Sequence, residues 1–200
     1  ALDVVAGQVL KNKSNAVVVT GIDDVNAQAV VLAINEMLGS KAFDAAAPKY
    51  VRQGNVEAVN ALLADMKSGK VGALLMDGVN PAYSLPNTAD FVEGIKNVDL
   101  TVAFSTNRNE TTELVQYVGA SNHYLESWGD TQIKKGHYSL MQPTIKELFD
   151  TKQFQTAVLE WLGSDQTYYD FIKETWSTSI LNGANWNQAL QDGVFSVDTM

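Results

Sequence analysis

The chain has no cysteine, few basic residues and no long hydrophobic run, and each shortage excludes a class of function. Without cysteine it can form no disulfide, and it offers no thiolate to zinc, molybdenum or an iron–sulfur cluster. Its 14 Lys and Arg against 23 Asp and Glu give a formal net charge of -9, which would repel a phosphate backbone. No apolar run is long enough to span a membrane. We therefore expect neither a nucleic-acid partner nor direct membrane insertion.

Common catalytic and nucleotide-binding motifs are also missing. The chain contains no Gly-x-Gly-x-x-Gly, no Gly-x-x-x-x-Gly-Lys-Ser/Thr and no Gly-x-Ser-x-Gly. His123 and His137 could bind a metal together with Glu126 or Asp130, but a catalytic zinc site usually needs three protein ligands in a suitable arrangement. Loop histidines held by hydrogen bonds to their neighbours are the favoured interpretation.

The composition is that of a folded domain. Hydrophobic residues make up 46% and charged residues 18% of 200 residues, which is enough for one sizeable core. The chain begins Ala-Leu-Asp without an initiator methionine or a signal peptide, so we expect a domain of a longer protein or a mature form. We predict that 1–200 form a single domain, with 151–200 as a helical extension.

Apolar patterning predicts strands that alternate with helices. Asp23 and Asp24 could form an acid–base pair, but caps for the following helix are the simpler interpretation, and Gly39 can end that helix. We expect the stretch 121–148 to be an irregular functional or interface loop. Strands are predicted at 16–20, 50–51, 71–76, 100–104 and 116–118. Helices are predicted at 4–10, 25–38, 56–66, 88–96, 110–115, 151–162, 166–177 and 185–191.

The alternation predicts an α/β fold: a three-layer, Rossmann-like domain with a mostly parallel sheet of about five strands and a helical C-terminal extension. The strand order 2-1-3-4-5 is the expected one. Ligands in such sheets lie at the carboxyl ends of the strands. Loops 21–24, 77–81, 105–109 and the stretch after 118 each follow a predicted strand, so they should open on one edge. The aromatic-rich last third should mostly pack its helices onto the sheet, with an exposed subset available to a partner.

Three short motifs stand in a fixed order along the chain. They are Gly-Val-Asn-Pro at 78–81, Glu-Thr-Thr at 110–112 and Glu-Ser-Trp-Gly at 126–129. Their order and spacing resemble the molybdopterin oxidoreductases of the dimethyl-sulfoxide-reductase superfamily. That resemblance implies a loop near the guanine-dinucleotide end of a pterin cofactor. If a pterin is bound, it assigns the contacts to Gly78, Asn80, Pro81, Glu110, Thr111, Glu126 and Gly129.

A narrower resemblance lies in 123–130, 139–145 and 186–194, which are similar to the B subunit of alternative complex III. That family joins a molybdopterin-oxidoreductase-like half to a ferredoxin-like half that carries iron–sulfur clusters, within a membrane-bound, quinol-oxidising respiratory complex. The resemblance implies partners in the other subunits and in the iron–sulfur half of the complex. It also implies a location on the periplasmic face of the bacterial inner membrane.

The favoured hypothesis is a structural domain of such an electron-transfer complex, non-catalytic by itself, with no cofactor in this piece. The predicted edge carries acidic residues and one nearby arginine, Arg108, and carboxylates would repel a pyrophosphate. One alternative is a domain that binds molybdopterin guanine dinucleotide in an active molybdenum oxidoreductase. Another is a small-ligand binding module. No catalytic residue and no metal ligand is assigned.

Overall fold

The computed structural model describes residues 1–51 and 54–197, which divide into two compact units. Residues 1–51 and 133–136 belong to the first unit, and residues 54–132 and 137–197 belong to the second. Within these described ranges, no helix is both long and apolar enough to cross a membrane.

The first unit is built from two helices, α1 (Leu2–Asn12) and α2 (Val25–Leu38). As predicted, Asp24 caps α2, since its side chain accepts a hydrogen bond from the Ala27 amide at 2.9 Å. Gly39 then ends the helix in the left-handed conformation with φ 59°, a conformation that favours glycine. The predicted capping chemistry of α2 is confirmed at both ends.

The strand predicted at 16–20 is not formed. The Asn35 side chain, in α2, takes both backbone groups of Val18: its oxygen accepts from the amide at 2.8 Å and its nitrogen donates to the carbonyl at 2.8 Å. A side-chain amide thus replaces the neighbouring strand that the apolar pattern predicted. Val17 and Val19 are 49% and 83% exposed, so the prediction of burial on both faces is also wrong.

The short strand predicted at 50–51 is also absent. The structure has one isolated antiparallel bridge, between Lys49 and Lys134, and a hydrogen bond of 2.6 Å from the Tyr50 amide to the Ile133 carbonyl. One bridge does not extend a sheet, because an extended ladder needs consecutive paired residues.

The second unit begins with an α/β portion whose strands are parallel, as predicted. Hydrogen bonds connect the three strands in the order β1-β2-β3. The sheet has three strands and not about five, because the segments 16–20 and 50–51 do not contribute to it. The elements in chain order are α3 (Val56–Lys67), β1 (Ala73–Asp77), α4 (Pro81–Ser84), α5 (Thr88–Gly94), β2 (Leu100–Ser105) and β3 (Tyr117–Ala120).

Helices cover both faces of this parallel sheet, which confirms the α/β Rossmann-like class. On one face, α3 and α5 bury Met66 and Phe91 against Met76 and Ala103. On the other face, the helix α6 (Phe154–Trp161) packs against β2, with the rings of Phe104 and Phe154 5.2 Å apart. The buried aliphatic and aromatic surface between these layers forms the main core of the parallel portion.

The helix predicted at 110–115 is replaced by turns. The Asn109 side-chain oxygen accepts from the amides of Thr111 and Thr112, both at 3.0 Å. Asparagine competes in this way with the hydrogen bonds that would otherwise continue a helix.

The stretch 121–148 contains more regular structure than predicted. A 3-10 turn at Tyr124–Glu126 precedes a hairpin formed by β4 (Gly129–Lys134) and β5 (His137–Met141). Strand β5 pairs antiparallel with a final strand, β6 (Val194–Ser196), that the sequence did not predict. The turn of this hairpin contains Gly136 at φ 74°, a conformation that favours glycine.

The last third is helical as predicted, but most of its aromatic residues pack elsewhere. Helices α7 (Tyr168–Thr175) and α8 (Trp186–Asp192) flank a π-helical segment, Trp176–Ile180. Their aromatic core includes Trp176 and contacts Tyr138 and Phe195 of the antiparallel sheet. The expected packing onto the parallel sheet holds only for α6. The C-terminal strand therefore gives these helices a second sheet to cover.

Candidate functional site

Three of the four predicted loops meet at the carboxyl edge of the parallel sheet. The Gly78 amide donates to the Phe104 carbonyl at 3.0 Å, and the Ser121 amide donates to the Ser105 carbonyl at 3.1 Å. The ends of β1, β2 and β3 are thereby held together, as parallel topology requires. The fourth loop, 21–24, follows no strand and instead leads into α2 of the first unit.

The loop after β1 is a rigid turn. Gly78 has φ 63°, and Pro81 is the first residue of α4, where its fixed φ suits the start of a helix. The carbonyl of Asn80 accepts hydrogen bonds from the amides of Tyr83 and Ser84 at 3.1 and 2.9 Å, and from the Ser84 hydroxyl at 2.9 Å. These bonds fix the backbone of Asn80, whose side chain extends to Glu110 in the loop after β2.

Asn80, Glu110 and Thr111 form a connected polar group that we call the asparagine lock. The Asn80 nitrogen Nδ2 donates to Glu110 Oε2 at 2.7 Å. Its oxygen Oδ1 accepts from the Thr111 hydroxyl at 2.7 Å and from the Thr111 amide at 3.2 Å. The same hydroxyl accepts from the Ala82 amide at 3.0 Å, and Thr111 is 0% exposed. The lock joins the loops after β1 and β2 by hydrogen bonds that each involve at least one side chain.

Two carboxyl groups at this edge have pKa values that move in opposite directions. The hydrogen bond from Asn80, followed by one from its own backbone amide, holds the pKa of Glu110 below its usual range. Burial raises the pKa of Asp77, because partial removal from water disfavours the charged form. Hydrogen bonds therefore favour the ionised form of Glu110, while partial burial disfavours the ionised form of Asp77.

The shift at Glu110 gives a prediction about pH. A carboxyl whose folded pKa is lowered adds stability above its unfolded pKa, and that stability is lost as the pH falls through the folded pKa. A Glu110→Gln variant should therefore lose less stability than the wild type between neutral and acidic pH. Urea unfolding midpoints measured across that range would show the difference, and Asp77 is common to both proteins. If both proteins lost the same stability between neutral and acidic pH, the lowered pKa of Glu110 would be contradicted.

Glu126 and Gly129 lie apart from the asparagine lock, and no hydrogen bond connects them to it within the described residues. Glu126 accepts the His123 amide at 2.9 Å in a capping box, and its other oxygen accepts the Leu148 amide at 3.2 Å. Gly129 begins β4. Of the residues assigned to a pterin, the structure brings together Gly78, Asn80, Pro81, Glu110 and Thr111.

Gly119 and Gly129 allow a matched test of packing. A Cβ added at Gly119 in β3 would lie 2.7 Å from the ring of Phe104, which is 5% exposed and held in the core. A Cβ added at Gly129 would lie 2.8 Å from the terminal methyl of Met141, a flexible side chain that can move. We expect Gly119→Ala to destabilise the protein by about 1–3 kcal/mol through overpacking. Gly129→Ala should destabilise it less, and the reverse order in chemical denaturation would contradict this packing.

The predicted hydrogen bond to a neighbour is confirmed for His123, whereas His137 lies in β5 and bonds a residue 59 positions away. His123 Nδ1 accepts from the Leu125 amide at 3.3 Å, and His137 Nδ1 lies 2.7 Å from the Ser196 hydroxyl. Across residues 1–51 and 54–197, no group of three or more His, Asp or Glu side chains is placed to hold a metal ion.

Several clefts lie in the second unit, among them an edge cleft and an acidic cleft. The edge cleft, of about 560 Å³, is at the carboxyl end of the parallel sheet and is lined by Ser105, Thr106, Asn107, Arg108, Thr112 and Glu113, among others. The acidic cleft, of about 720 Å³, is lined by Glu126, Trp128, Glu147, Glu160, Asp165 and Tyr169, among others. Sequence reasoning missed the acidic cleft, because its walls come from two separate segments, 122–128 and 147–169, that no motif connects.

Few groups in the edge cleft are free to bind a ligand. The Ser105 hydroxyl donates to the Asn107 carbonyl and accepts from the Asn107 amide and the Asn109 side chain. The Thr112 hydroxyl donates to the Asn109 carbonyl and accepts from the Asn109 amide. Arg108 has a side chain that is 90% exposed and lies 3.8 Å from Glu113, so it remains available to an anion.

Comparison with known proteins shows a shared fold. No protein-family model and no curated protein sequence matches the chain. Among solved structures, it is similar to the acetylene hydratase of Pelobacter acetylenicus, with a TM-score of 0.54 and 19% identity. The match covers 68% of this chain and 20% of that enzyme. The chain has the fold of one part of that hydratase.

Acetylene hydratase belongs to the dimethyl-sulfoxide-reductase family of molybdenum and tungsten enzymes. At 19% identity the likeness shows the fold alone, and the predicted resemblance to that superfamily stays a prediction. Because the match covers only about a fifth of the hydratase, the activity of the whole enzyme does not transfer with the fold.

Proposed function

We propose that this chain is a structural domain of a molybdopterin-oxidoreductase-like subunit in a respiratory, quinol-oxidising electron-transfer complex, and that it binds no cofactor itself. The observation that carries the proposal is the asparagine lock, in which the residues placed to contact a dinucleotide bind one another instead. The shared fold with part of acetylene hydratase supports the wider family. The respiratory role rests on the sequence resemblance to the B subunit of alternative complex III.

The residues at the sheet edge fit a pterin dinucleotide poorly. Both lone-pair directions of Asn80 Oδ1 are used by Thr111, and the Thr111 hydroxyl both donates and accepts. Glu110 is ionised at neutral pH, and its negative charge beside Asn80 would repel a pyrophosphate. A ligand would have to break two or more existing hydrogen bonds to reach these groups, which opposes its binding.

The proposed partners are the remaining subunits of the complex and the iron–sulfur half of the same subunit. In this proposal, that half carries the clusters, and the domain described here supports it on the periplasmic face of the bacterial inner membrane. The lock suits such a role, because it joins two loops rigidly without a ligand. The domain by itself would then be non-catalytic.

One observation favours the alternative that the domain binds molybdopterin guanine dinucleotide. Arg108 lines the edge cleft and its side chain is 90% exposed, so a guanidinium is available to a phosphate at the carboxyl end of the sheet. The acidic cleft, in turn, supports the remaining alternative of a small-ligand binding module.

Metal and pterin analysis of the full-length native protein tests the proposal. Molybdenum, tungsten and iron would be measured by mass spectrometry, and pterin by fluorescence after oxidation. We expect iron without molybdenum, tungsten or pterin. Near-stoichiometric molybdenum or tungsten together with pterin would overturn the structural role and favour the dinucleotide-binding alternative. An Arg108→Ala variant should leave the metal and pterin content unchanged if the domain is structural, and should lower it if the cleft binds the dinucleotide.

A further inference from the structure

Four oxidisable rings follow one another through the core of the C-terminal part. The ring centroids of Trp128 and Tyr169 are 4.7 Å apart, those of Tyr169 and Trp186 are 6.1 Å apart, and those of Trp186 and Trp176 are 6.0 Å apart. Three of the four tryptophans of the chain belong to this series. Tyr138 packs on its far end, 6.0 Å from Trp176. The series runs from the wall of the acidic cleft into the fully buried core.

Hydrogen bonds join two of these rings to oxygen atoms, and the one at Trp176 suits the removal of an electron together with a proton, because its acceptor is a carboxylate. The Trp176 nitrogen Nε1 donates to the Asp130 carboxylate at 2.8 Å, and Trp176 is 0% exposed. The Trp186 nitrogen Nε1 donates to the Tyr169 hydroxyl at 3.3 Å. Each of these buried indole N–H groups thus has an oxygen acceptor, as is usual for a buried tryptophan.

The chain has no cysteine, so oxidising equivalents cannot be absorbed by a thiol. We propose that Trp176, Trp186, Tyr169 and Trp128 form a path for one-electron oxidation, and that the oxidising equivalent comes to rest on Tyr169 at the acidic cleft. The oxidant is a one-electron oxidant of the radical class, supplied from outside the chain. This inference concerns the chain's own rings and does not depend on the proposed function.

Each step of the path balances. The oxidant takes one electron from a tryptophan, whose N–H bond breaks; at Trp176 the proton goes to Asp130, and at the half-buried Trp128 it goes to water. Electron transfer from Tyr169 then reduces the tryptophan. In this step the O–H bond of Tyr169 breaks and its proton goes to water in the acidic cleft, while Asp130 returns the proton to Trp176, or water returns it to Trp128, so that the indole N–H bond forms again. The products are a reduced oxidant, a restored tryptophan, a tyrosyl radical and one proton released to water.

Pulse radiolysis of the full chain with the azide radical, which is reduced to azide as it oxidises tryptophan, tests the path. We expect the absorption of the tryptophanyl radical to decay into that of a tyrosyl radical in a first-order step. The rate of that step should not depend on protein concentration. A Tyr169→Phe variant keeps the ring and removes the O–H group, and it should lose the step. Circular dichroism would show that the variant is folded.

Two control variants separate the path from general oxidation. Tyr138→Phe should keep the step, because no hydrogen bond joins Tyr138 to a tryptophan in the described residues. Trp161→Phe should also keep it, since Trp161 lies outside the series, beside Phe104. Loss of the step in either control, or its persistence in Tyr169→Phe, would overturn the proposal. Absence of a concentration-independent step in the wild type would overturn it without any variant.

Discussion

Replacing Trp176 by alanine is expected to destabilise the second unit by about 3–5 kcal/mol, the range for truncating a large buried aromatic residue. Trp176 is 0% exposed and lies between the rings of Tyr138 and Trp186, each 6.0 Å away. Alanine would leave a cavity at the point where α7 and its π-helical continuation meet the antiparallel sheet. The lost bond to Asp130 should add little, because the Asp130 side chain is exposed and water can replace the indole N–H group.

Trp161→Ala is the matched control for this prediction. The ring centroids of Trp161 and Phe104 are 5.9 Å apart, but Trp161 is 57% exposed. Its truncation therefore removes much less buried apolar surface than the truncation of Trp176. We expect a loss of about 1 kcal/mol or less for this variant. Urea unfolding followed by far-ultraviolet circular dichroism measures both variants without relying on tryptophan fluorescence. If Trp161→Ala were the more damaging change, the aromatic cluster could not be the main core of the C-terminal part.

Local features of the fold were predictable where a short sequence determines them. Asp24 caps α2 as predicted, and Asn55 caps α3 in the same way, each by accepting an amide three residues later at 2.9 Å. The parallel strands around residues 75 and 102 follow from continuous apolar runs bounded by turn residues. These features depend on contacts within a few residues, which a single sequence contains.

Features that depend on distant partners were missed. Strand β4 reads Gly-Asp-Thr-Gln-Ile-Lys, with no apolar alternation, so nothing local indicated a strand. The sheet that contains it is covered by aromatic rings from residues more than 30 positions later, including Trp176 and Trp186. Conversely, the apolar run at 16–20 predicted a strand that is not formed. The Asn35 side chain makes hydrogen bonds with the backbone amide and carbonyl of Val18 in place of a neighbouring strand. The competing side-chain bond joins residues 17 positions apart.

The candidate site was predicted in part. Parallel topology alone placed the loops that contain Asn80 and Glu110 on one edge, and the two side chains are 2.7 Å apart. Topology could not show that Asn80 would be saturated by Thr111, because that depends on the turn after β2, which was predicted as a helix. Glu126 was grouped with them through a motif of the resembling family and through its place in the stretch after 118, and it caps its own 3-10 turn instead.

A Thr111→Val variant is expected to lose about 1–3 kcal/mol of stability, because two partly buried groups lose a hydrogen-bond partner without a change in side-chain shape. The Ala82 amide would have no acceptor in place of the Thr111 hydroxyl, and Asn80 Oδ1 would keep only the longer bond of 3.2 Å from the Thr111 amide. Urea unfolding measures the loss. Hydrogen exchange at the Ala82 amide should rise at the same time, since this amide begins the short helix α4.

Two control variants isolate the effect of the Thr111 hydroxyl. Thr111→Ser tests the loss of the methyl group alone, and Thr106→Val tests the loss of a hydroxyl at an exposed position. Thr111→Ser keeps both hydrogen bonds and should lose about 1 kcal/mol for one buried methyl. Thr106→Val removes a hydroxyl at an exposed position of the same edge and should change stability by about 0.5 kcal/mol or less. A Thr111→Val variant as stable as Thr106→Val would mean that Asn80 is not held by the lock. Its amide would then be free for a ligand, and the case for a structural, cofactor-free edge would lose its main support.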